Sequence, residues 1–501
     1  MKTNLFRYLL FALVFAIVPL QLLAQRNSER SKNTFLNGDY WEGQPTISDI
    51  EANIKAGHSI TEANGGGFDA TTFAIFGNNP VSTIKYLVEN GNDVNKTTHD
   101  SRTYIFWAAS RGNLEVVKYL IENGAKMDVK DSHGYGPLSF TAATGQQDTK
   151  VYDLLMEGGA DLTKEKDHHG KNALLVAIGR AKDLKLVDYF ISKGLDINST
   201  DEHGNGAFHY AAQGGNIAIL KELKDRGVSI TMNPETGENA IFFASKGRDA
   251  NTALFQYLES LGLKANTTTT EGETPLHNLA SSADETALFD YFIKKGIDPN
   301  AVSKEGTTAL TNAAQRNKLA AIKYFAEKSN NINHSNKEGK TALTFAVQNN
   351  TVDVVSFLIE KGADVHVLDE KGNTLAFYLF ETRGMPRDFA KKVDVLNEAG
   401  FDFKKLQGDN SSIWHLAVAK NNLELLKKIQ DFGADINAKD KDGNAPIHYA
   451  AMKTTNAEIL KFLLANGADA TSTTEFGETA YDLASENELL AKNKVNIDFL
   501  N

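Results

Sequence analysis

Residues 440–470 read DKDGNAPIHYAAMKTTNAEILKFLLANGADA, and this stretch decides the fold. Gly443 follows three polar residues, as a tight turn that needs a residue tolerant of positive φ requires. Pro446 then suits the first turn of a helix, where its missing N–H leaves nothing unsatisfied. Ala450 and Ala451 leave room for a close neighbour, and Ile459, Leu460, Leu463 and Leu464 recur on one face of a second helix. Gly467 stands where that helix closes in a left-handed turn. The pattern predicts turn, helix, turn, helix, turn, with too little between the helices to make a core. Such a unit cannot bury its own apolar face and needs copies of itself on either side.

The copies are present. The closing glycine recurs as Gly57, Gly91, Gly124, Gly159, Gly194, Gly227, Gly262, Gly296, Gly362, Gly400, Gly433 and Gly467, with Ser329 holding the place once. Intervals are 33 to 35 residues except for Gly362 to Gly400, which is 38. The hairpin glycine keeps pace from Gly134 and Gly170 through to Gly443 and Gly477. Thr274-Pro275-Leu276-His277 and Ala445-Pro446-Ile447-His448-Tyr449-Ala450-Ala451 carry the start of the first helix, and Gly136-Pro137-Leu138-Ser139, Thr341-Ala342-Leu343-Thr344 and Thr374-Leu375-Ala376-Phe377 carry weaker versions. On these motifs and this period the chain resembles the ankyrin-repeat family. The resemblance implies an all-α solenoid of about 12 to 13 helix-turn-helix layers joined by β-hairpin-like turns.

Composition bounds the rest. The 501 residues are 41% hydrophobic and 23% charged, as expected of a folded soluble protein. Met1 to Ala24 has Lys2 and Arg7, an apolar run from Tyr8 to Val18, and a short tail, the layout of an export signal cleaved after Ala24. Its apolar part is short for a membrane span, and no later run is apolar enough to cross a bilayer, so no membrane span is expected once the signal is removed. With no cysteine the chain has no disulfide, thiolate metal site, cysteine nucleophile or cysteine-linked lipid anchor. Removing residues 1–24 leaves 51 basic and 64 acidic side chains, a net charge of −13. Phosphates would be repelled over most of such a surface, which argues against a nucleic-acid partner.

The organisation read from the chain is a signal peptide at 1–24, a flexible leader at 25–33, and a solenoid at 34–501. Within the solenoid, 34–64 reads as an atypical N-terminal cap layer containing Tyr40, Trp41 and a helix from Ser48 to Ala56, 65–469 as stacked repeats, and 470–501 as a C-terminal cap. The long interval places its excess in 381–388, which reads as a surface loop between two helices. Gly65-Gly66-Gly67 reads as a hairpin turn.

Histidine is where a catalytic reading would begin. His209, His277, His415 and His448 occupy the fourth place of the motif, where the resemblance implies bonds to turn backbone and hydroxyl groups. His133, His169 and His203 each precede a hairpin glycine in three consecutive layers. Packed helices lie about 8–10 Å apart, whereas zinc wants ligand atoms about 2 Å away, so these three read as solvent-facing turn residues. The same turn position carries Glu271, Glu305 and Glu338, which reads as a solvated acidic edge, with selection of a basic partner as the other reading. Trp107, Phe140, Tyr210, Phe243, Phe345, Tyr378 and Tyr449 follow the fourth motif place and read as packing between layers, with stacking of a sugar or peptide as the alternative. No catalytic, phosphate-loop, dinucleotide or calcium-loop motif is present, and no cofactor is expected.

What the resemblance implies is a non-catalytic scaffold that binds a protein with its concave face. By position, that face would take Ser132, His133, Tyr135, His169, Lys171, His203, Asn205, Glu271, Glu273, Glu305, Glu338 and Lys340 from the hairpin tips. Ser110, Arg111, Gln213, Gln315, Arg316, Gln348, Asn349 and Lys420 would come from the inner helices. The alternatives are a secreted effector acting on a host protein, and an enzyme or metal-dependent activity at the His133/His169/His203 edge. Periplasmic or extracellular placement follows from the signal, and the oligomeric state is left open.

Overall fold

The computed structural model describes residues 33–501 apart from Met232, Pro234, Asp284 and 383–386. The expected signal peptide, the expected leader up to residue 32, and half of the 381–388 insertion lie outside the described residues. The chain divides into two compact units, Met1–Ile230 and Thr231–Asn501. The described residues contain helices and turns but no β-strand, only isolated antiparallel bridges such as Ala63 with Asp69 and Ser335 with Thr341.

In the first unit the inner helices Ala70–Phe76, Tyr104–Arg111, Pro137–Ala143, Ala173–Ile178 and Ala207–Gly214 pack on one another in chain order. In the second unit the same series runs from Ala240–Ser245 through Pro275–Ser282, Ala309–Arg316 and Ala342–Asn349 to Ala480–Glu486. Each inner helix is followed by an outer one that buries a single stripe. In Glu458–Ala465 that stripe is Ile459, Leu460 and Leu463. The first layer is aromatic: Trp41 is fully buried and its Nε1–H donates to the Phe35 carbonyl at 2.8 Å. Its helix spans Ile47–Lys55, capped by Thr46 and Asp49, and so starts one residue before the expected Ser48. Asn33, assigned to the leader from sequence, is buried and donates to Ser59 O and Glu62.

Closing glycines adopt positive φ, as at Gly296 (+95°) and Gly362 (+88°). Ser329, between them in the series, cannot do so cheaply. It takes an extended conformation at φ −71° instead, after the helix Leu319–Lys328.

Helices this short leave most of their peptide groups at an end, so the stack depends on partners for them. At inner-helix starts the motif histidine supplies one. The Thr274 N–H donates to His277 Nδ1 (3.1 Å), which leaves Nε2–H to donate to Thr307 O (3.1 Å). His415 does the same between the Ser412 N–H and Asn444 O, and His448 between the Ala445 N–H and Ser472 O. Burial lowers the pKa of His277 and His415, consistent with neutral rings. Layers without histidine use other acceptors for the same first-turn amides. Thr311 and Thr344 hydroxyls accept from the Thr308 and Thr341 N–H groups, and the Gln407 carbonyl accepts from the Thr374 N–H (2.9 Å). The buried Glu165 carboxylate accepts from the Leu138 and Ser139 N–H groups.

At inner-helix ends a buried asparagine from the following connection donates back to carbonyls of the preceding layer. Asn317 reaches Ala280 O and Ala283 O at 2.6 and 2.7 Å, and Asn350 reaches Ala314 O and Asn317 O at 3.0 Å each. The layer carrying the insertion replaces this asparagine with a lysine. Lys392, 1% exposed, donates from Nζ to Val347 O at 2.7 Å. Burial pulls its pKa down to about 8, opposed in part by the charge of Asp388. At Gly408 in this same region a Cβ would collide with the Lys371 carbonyl, so close approach there requires glycine.

Lys392 gives a pH signature. Its folded pKa of about 8 lies below the ordinary 10.5, so its contribution is greatest above the unfolded value and is lost as pH falls toward 8. Denaturant unfolding is expected to show the wild type gaining about 2–3 kcal/mol relative to Lys392→Met between pH 8 and 10. Parallel pH profiles for the two chains would contradict this.

Candidate functional site

Most hairpin tips are built from an Asp, Asn, Ser or Thr three residues before the glycine. Asp167 Oδ1 accepts from the N–H groups of His169 and Lys171, both at 2.9 Å. Asp201 does the same for His203 and Asn205, and Asn336 for Glu338 and Lys340. A backbone bond then ties many of these tips to the next. In the first unit the Ser132 N–H donates to Asp100 O, His168 to His133 O, and Glu202 to His169 O. In the second unit Lys304 donates to Glu271 O, Lys337 to Glu305 O, Glu370 to Glu338 O, and Lys441 to Asp409 O. The tip side chains therefore stand on a fixed backbone.

Among the tip residues named from sequence, Ser132, His169, His203, Glu271, Glu305 and Glu338 are exposed, and His133, Tyr135, Lys171, Glu273 and Lys340 are half-buried. Asn205 is a correction: it is 3% exposed, and its Nδ2 donates to Asp201 Oδ2 (3.0 Å), so it braces the hairpin from within. The carboxylates at the tips do not form a bare acidic edge. Lys304 lies 3.5 Å from Glu271, Lys337 lies 3.9 Å from Glu305, and Lys340 lies 2.7 Å from Glu338. Burial holds the Glu273 carboxyl above its ordinary range, with Lys246 opposing and Glu238 and Glu271 reinforcing the shift.

The three consecutive tip histidines separate into two neighbourhoods. Asp100 Oδ2 lies 3.5 Å from His133 Nε2 and 3.4 Å from His99 Nε2, and also accepts from the Arg102 guanidinium at 3.1 Å. Glu202 Oε1 lies 3.8 Å from His169 Nδ1 and 3.5 Å from His203 Nε2.

Among the inner-helix residues, Arg111, Arg316 and Asn349 are exposed, and Ser110, Gln213, Gln315, Gln348 and Lys420 are half-buried. The Arg111 guanidinium lies 5.4 Å from the Phe76 ring centre. Gln348 and Lys420 have partners at the start of the insertion: Gln348 Nε2 donates to Glu381 Oε2 (2.9 Å), and Lys420 Nζ to Thr382 O (2.6 Å).

The aromatic series is packing. Trp107, Phe140, Phe243 and Tyr378 are buried. The Tyr210, Tyr378 and Tyr449 hydroxyls donate to Asp201, Asp369 and Asp440, the residues that shape their own hairpins. The rings thereby lock each hairpin to its inner helix.

Two features went unread in the sequence. Arg102 is 3% exposed, with its guanidinium over the Phe140 ring at 4.3 Å and Nη2 2.7 Å from Asp131. Its signal, an isolated arginine at the base of a hairpin, has no counterpart in other layers. The second was partly legible: an asparagine recurs four positions after the closing residue as Asn95, Asn198, Asn266, Asn300, Asn333 and Asn437. Asn95, Asn300, Asn333 and Asn437 span to the next layer with both amide atoms, as where Asn437 Nδ2 donates to Gly467 O and its Oδ1 accepts from the Asp469 N–H.

The chain matches the model of a family described as ankyrin repeats (3 copies) at 71–166, 140–234, 174–260, 208–301, 276–369 and 414–498. It is 33% identical over 92 residues to the potassium channel AKT1 of Arabidopsis thaliana, a stretch covering 18% of this chain and 10% of that one. It is 27% identical over 176 residues to the palmitoyltransferase AKR1 of Lachancea kluyveri, covering 35% and 24%. The match thus spans a quarter or less of these relatives. The human ASB11 ankyrin repeat domain is a structural neighbour at 21% identity and a TM-score of 0.38, covering 44% of this chain and 98% of that one. With family matches over most of its length, the chain belongs to the ankyrin-repeat family.

Proposed function

We propose that the chain is an exported, non-catalytic scaffold of bacterial type that holds a protein partner on its hairpin tips and the exposed ends of its inner helices. The observation that carries this reading is the division of labour within each layer. Motif histidines, capping asparagines and ring-bearing residues are consumed by stacking, whereas side chains such as His169, Glu305, Arg111 and Arg316 project from a backbone already fixed by turn and ladder bonds. A surface ordered before binding loses little conformational entropy on contact. Because the acidic tips are paired with lysines, the edge presents alternating charge, which suits a mixed polar partner better than a purely basic one.

Export rests on Lys2, Arg7 and the apolar run from Tyr8 to Val18. It places the partner in the periplasm or outside the cell.

Affinity purification from the native source tests the binding face. A stoichiometric partner is expected with the wild type and with the outer-helix variant Lys118→Ala. Arg111→Glu, on the inner helix of the same unit, should weaken it by about 2 kcal/mol or more. Equal loss in the outer-helix variant would refute the assignment of the face. Export is tested by N-terminal sequencing of the protein from its own cells: a chain beginning at Gln25 in the periplasm or medium is expected, and a cytosolic chain retaining residues 1–24 would refute it.

A further inference from the structure

We infer that His169, Glu202 and His203 form a binding site for zinc, made jointly by two adjacent hairpin tips. The ligand atoms of these three side chains all lie within 4.8 Å of one another. Glu202 Oε1 sits between the imidazoles, 3.8 Å from His169 Nδ1 and 3.5 Å from His203 Nε2. Around a tetrahedral zinc with bonds of about 2.0–2.1 Å, neighbouring ligand atoms stand roughly 3.3–3.5 Å apart. The carboxylate is already within a few tenths of an ångström of that spacing from each ring. All three side chains are exposed, so rotation of side chains is available to close the remaining distance.

The backbone beneath them is held. The Glu202 N–H donates to His169 O at 2.9 Å, and the N–H groups of His169 and His203 are bound by Asp167 and Asp201 at 2.9 Å. The distance between layers that rules out three histidines in a row is overcome because two of the ligands are consecutive in one hairpin. The third comes from the hairpin hydrogen-bonded to it.

The neighbouring cluster of His99, Asp100 and His133 shows what the site must lack. There the carboxylate is already bonded to the Arg102 guanidinium at 3.1 Å, a resident cation that repels a second one. Among the described residues, the ion pairs of Glu202 are with the two imidazoles alone. Two neutral imidazoles and a carboxylate favour zinc over calcium or magnesium, which prefer oxygen ligands. Three protein ligands leave a coordination position open to water or another donor. Metal binding would clip the two tips together and bring positive charge to an edge of a net-negative chain.

The test is titration of zinc chloride into the full chain, without an affinity tag, followed by calorimetry and competition with a chromophoric chelator. Saturation at one equivalent is expected, with affinity at least about 10–100-fold lower in Glu202→Gln and in the His169→Ala/His203→Ala double variant. His133→Ala should bind as the wild type does. The three ligand residues are exposed, so each variant is expected to fold, with circular dichroism as the check. Absence of saturable binding overturns the proposal. So does binding that survives in the double variant, which would place the metal elsewhere, or binding lost in His133→Ala.

Discussion

The structure depends on how the ends of very short helices are satisfied. An inner helix such as Pro275–Ser282 has so few residues that most of its peptide N–H and C=O groups lie within four positions of an end. Several are buried between layers, where an unpaired group costs about 1–3 kcal/mol. Apolar stripes on the helices supply attraction between layers, but attraction of that kind has no register. The bonds from His277 to Thr307 O, from Asn350 to Ala314 O, and from Asn437 to Gly467 O do, because each fits only one vertical and lateral offset. A layer is thus completed by its neighbours in two senses, through the apolar area they cover and the backbone groups they satisfy.

This explains how far the sequence could be read. Glycines at hairpins and helix ends were visible because positive φ is costly for other residues, and the motif histidines were visible because they recur. Some substitutes in degenerate layers were not. Thr311 stands in the histidine's own place, but Glu165 and Gln407 perform related tasks from different positions in the chain, so no fixed spacing announces them. Lys392 is the extreme case. It sits in a helix whose pattern is unremarkable, and no repeat spacing leads to it, because it follows the one long interval in the series. The loop asparagines Asn95, Asn300, Asn333 and Asn437 were periodic, but Asn198 shares their spacing and bonds within its own loop, so spacing marks the place and not the bond.

The candidate site was legible in location and less so in charge. Residues at hairpin tips can be numbered from the glycines, and half of those named proved exposed, most of the others being half-buried. What spacing along one chain does not reveal is which tip side chain faces which across the interval between layers. Lysines opposite Glu271 and Glu305 turn an apparently acidic edge into alternating charge, and Glu202 brings His169 and His203 into one cluster while His133 joins another. Asn205 shows the same limit from inside: hairpin numbering puts it near a tip, but its amide is needed by Asp201.

Residue-resolved hydrogen exchange on Asn350→Ala measures the interlayer bond most directly. Loss of its two donated bonds is expected to cost about 1–3 kcal/mol. Exchange should quicken correspondingly in Ala309–Arg316 and Ala342–Asn349, the helices it joins, and remain unchanged in Pro446–Lys453. Unaltered exchange in the two joined helices, or equal acceleration in all three, would contradict the account.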